Sequence, residues 1–243
     1  MTARPSATGL PMIDAAHDEV PSGPANTSWF AGVSARTAFH DRRIVREHLM
    51  SPQIVVLGAG PDDRAFRLNL HAGTTIFEVD RPSVLFHKQW ALDRCWAVPH
   101  CRRVPVPLSP AEPVGPALCA AGFDRLTRAV WVAEDLLVHL TAEQANRLLA
   151  DISALSAPGS HLTGAYRRGH DATTAGRPAA RNDRYEVGPW LTAHGWYATA
   201  VTGVASLPGT TGRPATSGAG TPVQLFDAEF TAHLSPHLTQ WQG

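Results

Sequence analysis

Cysteine is scarce in this chain of 243 residues. The three cysteines, Cys95, Cys101 and Cys119, leave at least one thiol unpaired, and none belongs to a CxxC pair. The Met1 end lacks the basic and apolar regions of a signal peptide. We therefore expect a cytoplasmic protein rather than a secreted one stabilised by disulfides.

Long hydrophobic runs and net charge are lacking too. No apolar run approaches the roughly 20 residues that a transmembrane helix needs. The 21 acidic and 21 basic side chains cancel, and only 17% of residues are charged. This balance gives no electrostatic reason to expect nucleic acid or an anionic membrane as a partner. We expect a soluble protein with a small-molecule substrate, and a homodimer is left open.

The N-terminal residues 1–33 are predicted to form an irregular arm. The first 28 residues are rich in Pro, Gly, Ser, Thr and Ala and show little periodicity. Trp29 and Phe30, at the end of this arm, are a candidate lid over a pocket. Ser34 is expected to cap a helix that runs to about Leu49. Much of one face of that helix would be formed by Ala38, Ile44, Val45 and Leu49.

Strand and helix patterns alternate through the rest of the chain. Helices are predicted from residue 62 or 63 to 68, and over 82–95, 113–121, 141–155 and 190–194. Strands are predicted over residues 53–57, 74–79, 103–106, 129–133, 161–166, 196–201 and 223–233. This alternation predicts an α/β fold with a Rossmann-like, doubly wound, mostly parallel seven-stranded sheet. Helices would cover both faces, with an antiparallel edge strand.

A nucleotide site is indicated by Gly58, Ala59 and Gly60, which directly follow the first strand. Glycines there allow a sharp turn and a close approach to a ligand. Asp80 follows twenty residues after Gly60, at the end of the second strand, where a carboxylate can accept both hydroxyls of a ribose. Asp80 can also cap the helix that Pro82 begins, and the two roles are compatible.

Charge discriminates between two nucleotide classes. A dinucleotide site favours a third glycine three residues after Gly60, and that position is Asp63, preceded by Asp62. Two carboxylates there would repel a pyrophosphate. S-adenosylmethionine has no phosphate and carries a sulfonium cation, so charge favours this methyl donor over NAD.

Six ordered motifs carry a family resemblance. They are SARTAF at 34–39, VLGAGPDDRAFRL at 56–68, TIFEVDRP at 75–82, WVAEDLLVHL at 131–140, LSAPGS at 155–160 and HGW at 194–196. Together they resemble the bacterial branch of the leucine carboxyl methyltransferase-like family, a group of class I S-adenosylmethionine-dependent methyltransferases. The resemblance implies a methyltransferase-like domain over residues 34–243, with a shortened lid loop at 167–189.

The resemblance also implies roles for individual residues. Arg36 would pair with the methionine carboxylate of the cofactor, and Glu134 would lie near its amino group and the transferred methyl. The alternatives are a solvated helix arginine and a residue that caps the turn after its strand. Arg64 would brace the loop. The cofactor-binding set implied in this way is Arg36, Gly58, Ala59, Gly60, Arg64, Asp80, Leu108 and Glu134.

Three departures from the family pattern bear on activity. Pro107 stands where relatives have the acid that binds the adenine amine, so adenine recognition would be weaker or would be supplied by Leu108 and its neighbours. Asp135 stands where a small residue is common, which adds a charge at the methyl-transfer end. The segment before Trp190 is short where relatives carry a helical substrate cover.

The expected activity is O-methylation of a small-molecule carboxylate or hydroxyl, in secondary metabolism. A hydroxyl acceptor would need a general base, and His139 is the candidate, with a packed or solvated histidine as the alternative. The competing functions are a cyclase or isomerase that has lost methyl transfer, or a non-catalytic binding module. Cys95, His100 and Cys101 lack a fourth ligand, so no metal site is expected.

Overall fold

A seven-stranded sheet organises the computed structural model, which describes residues 25–109, 112–167, 186–208 and 223–231. The side chains of residues 25–32, 167 and 205 lie outside this description. The strand order is β3-β2-β1-β4-β5-β7-β6. The strands are β1 Gln53–Leu57, β2 Thr75–Asp80, β3 Arg102–Pro107, β4 Ala129–Ala133, β5 His161–Arg167, β6 Trp196–Gly203 and β7 Val223–Phe230.

The pairing confirms the predicted fold class. β1 pairs in parallel with β2 and β4, and the parallel pairing extends to β3 on one side and β5 on the other. The last strand, β7, is antiparallel to both of its neighbours and lies between β5 and β6. The result is a mostly parallel sheet with an antiparallel strand towards one end.

Helices cover both faces of the sheet. They are α1 Ala25–Glu47, α2 Arg64–Arg67, α3 Pro82–Arg94, α4 Val114–Ala120, α5 Ala142–Ala154 and α6 Val187–Thr192. Strand side chains alternate between faces. Accordingly, Val55 belongs to the apolar cluster that includes Leu118 of α4 and Leu149 of α5. Ile54 belongs instead to the cluster with Ile44 of α1 and Ala65 of α2.

Two helix starts were correctly predicted from the sequence. Pro82 occupies the first turn of α3. Thr141 and Gln144 form a capping box at α5: the Gln144 amide donates to Thr141 Oγ1 at 3.2 Å, and the Thr141 amide donates to Gln144 Oε1 at 2.9 Å. Both signals are local, because they satisfy amides that lack partners within the helix.

The start and the buried face of α1 differ from the prediction. The helix begins at Ala25, so Ser34 lies inside it and caps nothing. Of the four residues of the expected apolar face only Ile44 is buried, whereas Ala38, Val45 and Leu49 are exposed. The buried face is formed by Phe39, His40, Arg43 and Ile44. Two of these side chains are polar, so hydrophobic periodicity alone could not identify this face.

The predicted arm and lid loop are only partly covered by the described residues. Helix α1 occupies residues 25–33 of the predicted arm, and the side chains of Trp29 and Phe30 lie outside the described part. Helix α6 begins at Val187, within the predicted 167–189 loop and three residues before the predicted helix. Residues 168–185 of that loop lie outside the description. No helix of the described residues is long and apolar enough to cross a bilayer.

Gly164 on β5 provides a test of packing across the sheet. A Cβ at this position would lie 2.8 Å from Phe226 Cζ and 3.1 Å from the Ala133 carbonyl oxygen. Because neither neighbour is a flexible chain end, Gly164→Ala should lower the free energy of unfolding by ~1–3 kcal/mol. Chemical denaturation measures this loss. Gly188→Ala is the control, since no atom of the described residues lies within 4 Å of the Cβ that it would add in α6. Equal stability of the two variants would contradict the packing described here.

Candidate functional site

The carboxyl ends of β1, β2 and β4 bring the predicted motifs to one place. β1 lies between β2 and β4, and the chain leaves β3 to enter β4 on the opposite side of β1. This reversal is a topological switch point, where ligands of open α/β sheets bind. The loop after β1, Asp80 on β2 and Glu134 after β4 therefore surround one crevice.

The loop after β1 folds onto the end of β2. The amides of Gly58 and Ala59 both donate to the Val79 carbonyl, at 2.9 and 3.1 Å. The Gly60 amide donates to Asp80 Oδ2 at 2.7 Å. Gly58 and Gly60 have φ values of 67° and 42°. Side-chain-bearing residues rarely adopt these values, so glycine at both positions allows the turn.

Asp80 binds this loop, and its carboxylate can still accept further hydrogen bonds. Its Oδ1 accepts from the Arg81 amide at 2.6 Å, while Oδ2 holds Gly60. Each carboxylate oxygen has two lone pairs, so both can still accept from a ribose hydroxyl. Arg81 is the N-cap position of α3 and makes no side-chain cap bond. Asp80 therefore binds the residue before the helix, and its role as a ribose ligand stays a prediction.

The end of β3 lies next to Asp80. The Leu108 amide donates to the Asp80 carbonyl at 2.9 Å, which continues the β2–β3 pairing beyond Pro107. A cavity of about 370 Å³ opens beside this point. It is lined by Pro107, Leu108, Glu112, Pro113, Pro116 and Ala117. The structure thus places Leu108 one hydrogen bond from Asp80, at the edge of an open space.

Arg64 is buried and binds three carboxylates. Its Nε donates to Asp41 Oδ1 at 2.7 Å, its Nη2 donates to Glu134 Oε2 at 2.6 Å, and its Nη1 contacts Asp62 Oδ2. Asp41 belongs to α1 and Asp62 to the loop after β1. Burial lowers the pKa of Arg64, but the three carboxylates raise it overall. Arg64 therefore stays charged and ties α1, the loop and the end of β4 together.

Glu134 is held on both oxygens. In addition to the Arg64 contact, its Oε1 accepts from Thr37 Oγ1 at 2.6 Å. Burial raises the pKa of Glu134, but the charge of Arg64 and the hydrogen bond from Thr37 hold it below its usual value overall. Glu134 is thus an ionised, fixed acceptor at neutral pH, suited to binding a cation or an ammonium group.

Arg36 and Asp135 form a separate ion pair at the rim of the crevice. Arg36 Nη1 lies 2.7 Å from Asp135 Oδ1, with side-chain exposures of 19% and 50%. The sequence singled out both residues but did not predict that they pair. They are 99 positions apart in the chain, so local patterns carry no information about this contact.

Helix α1 supplies site residues that sequence reasoning missed. Thr37 and Asp41 are four positions apart, so they share a helix face, and they contact Glu134 and Arg64. Their i,i+4 spacing was an available signal. His40, on the same side of the helix, shares a 2.8 Å hydrogen bond between its Nδ1 and Thr163 Oγ1 on β5.

The structure also places the predicted base and the residues that were considered for a metal site. His139 is exposed in a 3₁₀ turn, Leu137–His139, and its role as a base stays a prediction. Within the described ranges, no group of three or more metal-ligand side chains comes together. Of the cysteine and histidine residues considered for a metal, Cys101 is buried and Cys95 is exposed. His100 Nδ1 lies 3.2 Å from the Leu68 carbonyl oxygen.

Comparison with known proteins gives a family match. The sequence profile of the leucine carboxyl methyltransferase family matches residues 6–153, more than half of the chain. A Mycobacterium avium protein is 38% identical over 161 residues, which cover 59% of this chain and 51% of the relative. A Mycobacterium bovis protein is 34% identical over 204 residues, covering 71% of this chain and 66% of the relative. Both relatives are proposed S-adenosyl-L-methionine-dependent methyltransferases.

Solved structures share the fold. Magnesium protoporphyrin IX methyltransferase from Synechocystis PCC 6803, crystallised with bound S-adenosylhomocysteine, superposes with a TM-score of 0.56. The match covers 88% of this chain and 90% of that chain, at 12% identity. An identity this low supports similarity of fold only. The chain spans about half to two thirds of the length of the curated relatives compared above.

The Arg64 cluster provides a stability test. Arg64→Met would leave three carboxylates together in a largely buried space, so the free energy of unfolding should fall by ~3–5 kcal/mol. Arg147→Met is the control, because Arg147 forms an exposed pair with Glu143 and should change stability by less than ~1 kcal/mol. Urea denaturation at pH 7 measures both. Similar losses for the two variants would contradict a structural role for the cluster.

His40 predicts a dependence of stability on pH. Burial lowers the pKa of His40 from 6.5 to about 4, with the Arg64 charge adding to the effect and Glu134 opposing it. Below pH 6.5 the unfolded chain therefore binds a proton that the folded protein does not, and stability falls as pH falls. The slope approaches about 1.4 kcal/mol per pH unit once the unfolded histidine is protonated, so the loss between pH 7 and pH 5 is about 2 kcal/mol.

The matched variant is His40→Gln, which can still hydrogen bond to Thr163 but does not titrate. Burial also lowers the pKa of His161, and that contribution remains in both proteins. Unfolding free energies at pH 7 and pH 5 should show a smaller decline for the variant. Identical declines would mean that His40 titrates normally in the folded state.

Proposed function

Because this chain belongs to the leucine carboxyl methyltransferase family, we propose that it is an S-adenosylmethionine-dependent methyltransferase. The observation that carries the proposal is the hydrogen bond from the Gly60 amide to Asp80. It fixes a glycine turn beside a carboxylate at the switch point of the sheet, as an adenosyl ligand requires.

The nucleoside half of the cofactor would be bound by Asp80 and the end of β3. Asp80 would accept the two ribose hydroxyls on lone pairs that the loop amides leave available. Leu108 would supply an apolar contact for the adenine in place of the acid that Pro107 replaces. Gly58, Ala59 and Gly60 would allow the methionine moiety to lie close to the backbone.

The amino-acid half would be bound by charge. Glu134 would accept from the cofactor's ammonium group, since its carboxylate stays ionised and both its oxygens have spare lone pairs. Arg36 would pair with the carboxylate. Arg64 acts through Glu134 and Asp62 and is a positioning residue.

The reaction we propose is O-methylation of a small-molecule carboxylate or hydroxyl, in secondary metabolism. The cofactor supplies an electrophilic methyl group on a sulfonium. The protein would hold the methyl group and the acceptor oxygen in line, because proximity and orientation supply most of the rate enhancement. It would also exclude competing water. A carboxylate acceptor is already ionised at pH 7. A hydroxyl acceptor needs a base, for which His139 is our candidate.

A second candidate is a methyltransferase-like protein that binds the cofactor without transferring its methyl group. Two observations favour this alternative. Pro107 removes an adenine ligand, and Asp135 already occupies the guanidinium of Arg36. Product analysis by mass spectrometry over a panel of carboxylate and hydroxyl acceptors separates the two. Cofactor binding with no methylated product would favour the second candidate.

Asp80 provides the binding test of the proposed function. Asp80→Ala removes two hydrogen bonds to ribose, so the Kd for S-adenosylhomocysteine should rise by about tenfold or more. Isothermal titration calorimetry measures the change, with circular dichroism to check folding. Asp93→Ala is the control, because Asp93 is exposed near the end of α3 and its side chain accepts from Gln89 of the same helix. Unchanged affinity in Asp80→Ala would place the nucleoside elsewhere.

A further inference from the structure

The pair between Arg36 and Asp135 lies beside the proposed amino-acid site. Arg36 lies on α1 beside Thr37, and Asp135 follows Glu134 at the end of β4. Two contacts 97 and 99 residues apart in the chain, Thr37 with Glu134 and Arg36 with Asp135, therefore join the same two elements. Arg36 therefore binds Asp135 one position along each segment from the contact between Thr37 and Glu134.

We propose that Asp135 competes with the carboxylate of the cofactor for Arg36 and so sets the affinity for the cofactor. This inference rests on the proposed function. Asp135 Oδ1 accepts from Nη1 of Arg36, the same guanidinium that the amino-acid carboxylate would bind, and the two anions have the same charge and similar geometry. Cofactor binding therefore includes the exchange of one carboxylate for another at Arg36.

Burial distinguishes Asp135 from its neighbour Glu134. Both oxygens of Glu134 are bound, and one of its partners, Arg64, is almost fully buried. Asp135 is half exposed, and water can solvate its carboxylate when the pair opens. Exposed ion pairs contribute little to stability. The contact of Asp135 with Arg36 is therefore easier to exchange for a ligand contact than the contact of Glu134 with Arg64.

Asp135→Asn tests this exchange, because it removes the charge and preserves the shape. The variant should bind S-adenosylhomocysteine about threefold to fivefold more tightly than the unmodified protein, as expected for loss of a competing exposed pair. Binding of 5′-methylthioadenosine should not change, since that ligand keeps the nucleoside and the thioether but has no carboxylate. Glu143→Gln is the matched control, because it removes an exposed carboxylate that pairs with Arg147 on α5.

The Arg36→Ala background completes the thermodynamic cycle. Arg36→Ala should weaken binding of S-adenosylhomocysteine, and adding Asp135→Asn to it should produce no further gain. All affinities are measured by calorimetry, so the readout does not require an active enzyme. Unchanged or weaker binding of S-adenosylhomocysteine by Asp135→Asn would overturn the inference. An equal gain for both ligands would overturn it as well, because the effect would then not depend on the carboxylate.

These outcomes can be told apart from failure of the proposed function. If the unmodified protein binds neither ligand, the proposed function fails and this inference fails with it. If the unmodified protein binds S-adenosylhomocysteine and Asp80→Ala weakens that binding, the proposed function stands. An unresponsive Asp135→Asn variant would then overturn only the competition at Arg36.

Discussion

The structure depends on one buried cation, the guanidinium of Arg64, and on the three carboxylates around it. Asp41, Asp62 and Glu134 come from α1, from the loop after β1 and from the end of β4. These segments are distant in the chain and have no reason to meet through local preference. Burying one of these carboxylates without the charge of Arg64 would be unfavourable. Each of the three segments is therefore stable in this position only when Arg64 and the other two segments are in place.

Because of this constraint, the positions of the site residues depend on how α1 packs across one face of the sheet. Helix α1 packs with a partly polar face, in which His40 contacts β5 and Arg43 contacts Asp227 on β7. An apolar helix face could slide along the sheet with little penalty. Directional contacts to two strands and to Arg64 fix the rotation and register of the helix, and thereby the positions of Thr37 and Arg36.

The sequence predicted the sheet well because its strands are short apolar runs that end in recognisable turns. It also placed Asp80 beside Gly60, since parallel strands end at the same edge of a sheet. The inward face of α1 was not predictable, because His40 and Arg43 break the apolar pattern. The pairing of Arg36 with Asp135 was not predictable either. Which carboxylate pairs with an arginine depends on packing between residues about a hundred positions apart.

Glu134 and Asp135 show how position decides the chemistry of a carboxylate. They are adjacent in sequence, both are acidic, and both pair with an arginine. Glu134 lies where the chain leaves the sheet, against the buried guanidinium of Arg64, so breaking its contact would leave a buried charge with one partner fewer. Asp135 is one residue further into solvent, and its arginine can accept another anion. One position in the chain thus separates Glu134, a carboxylate bound within the protein, from Asp135, the carboxylate that a ligand would displace in the proposed exchange.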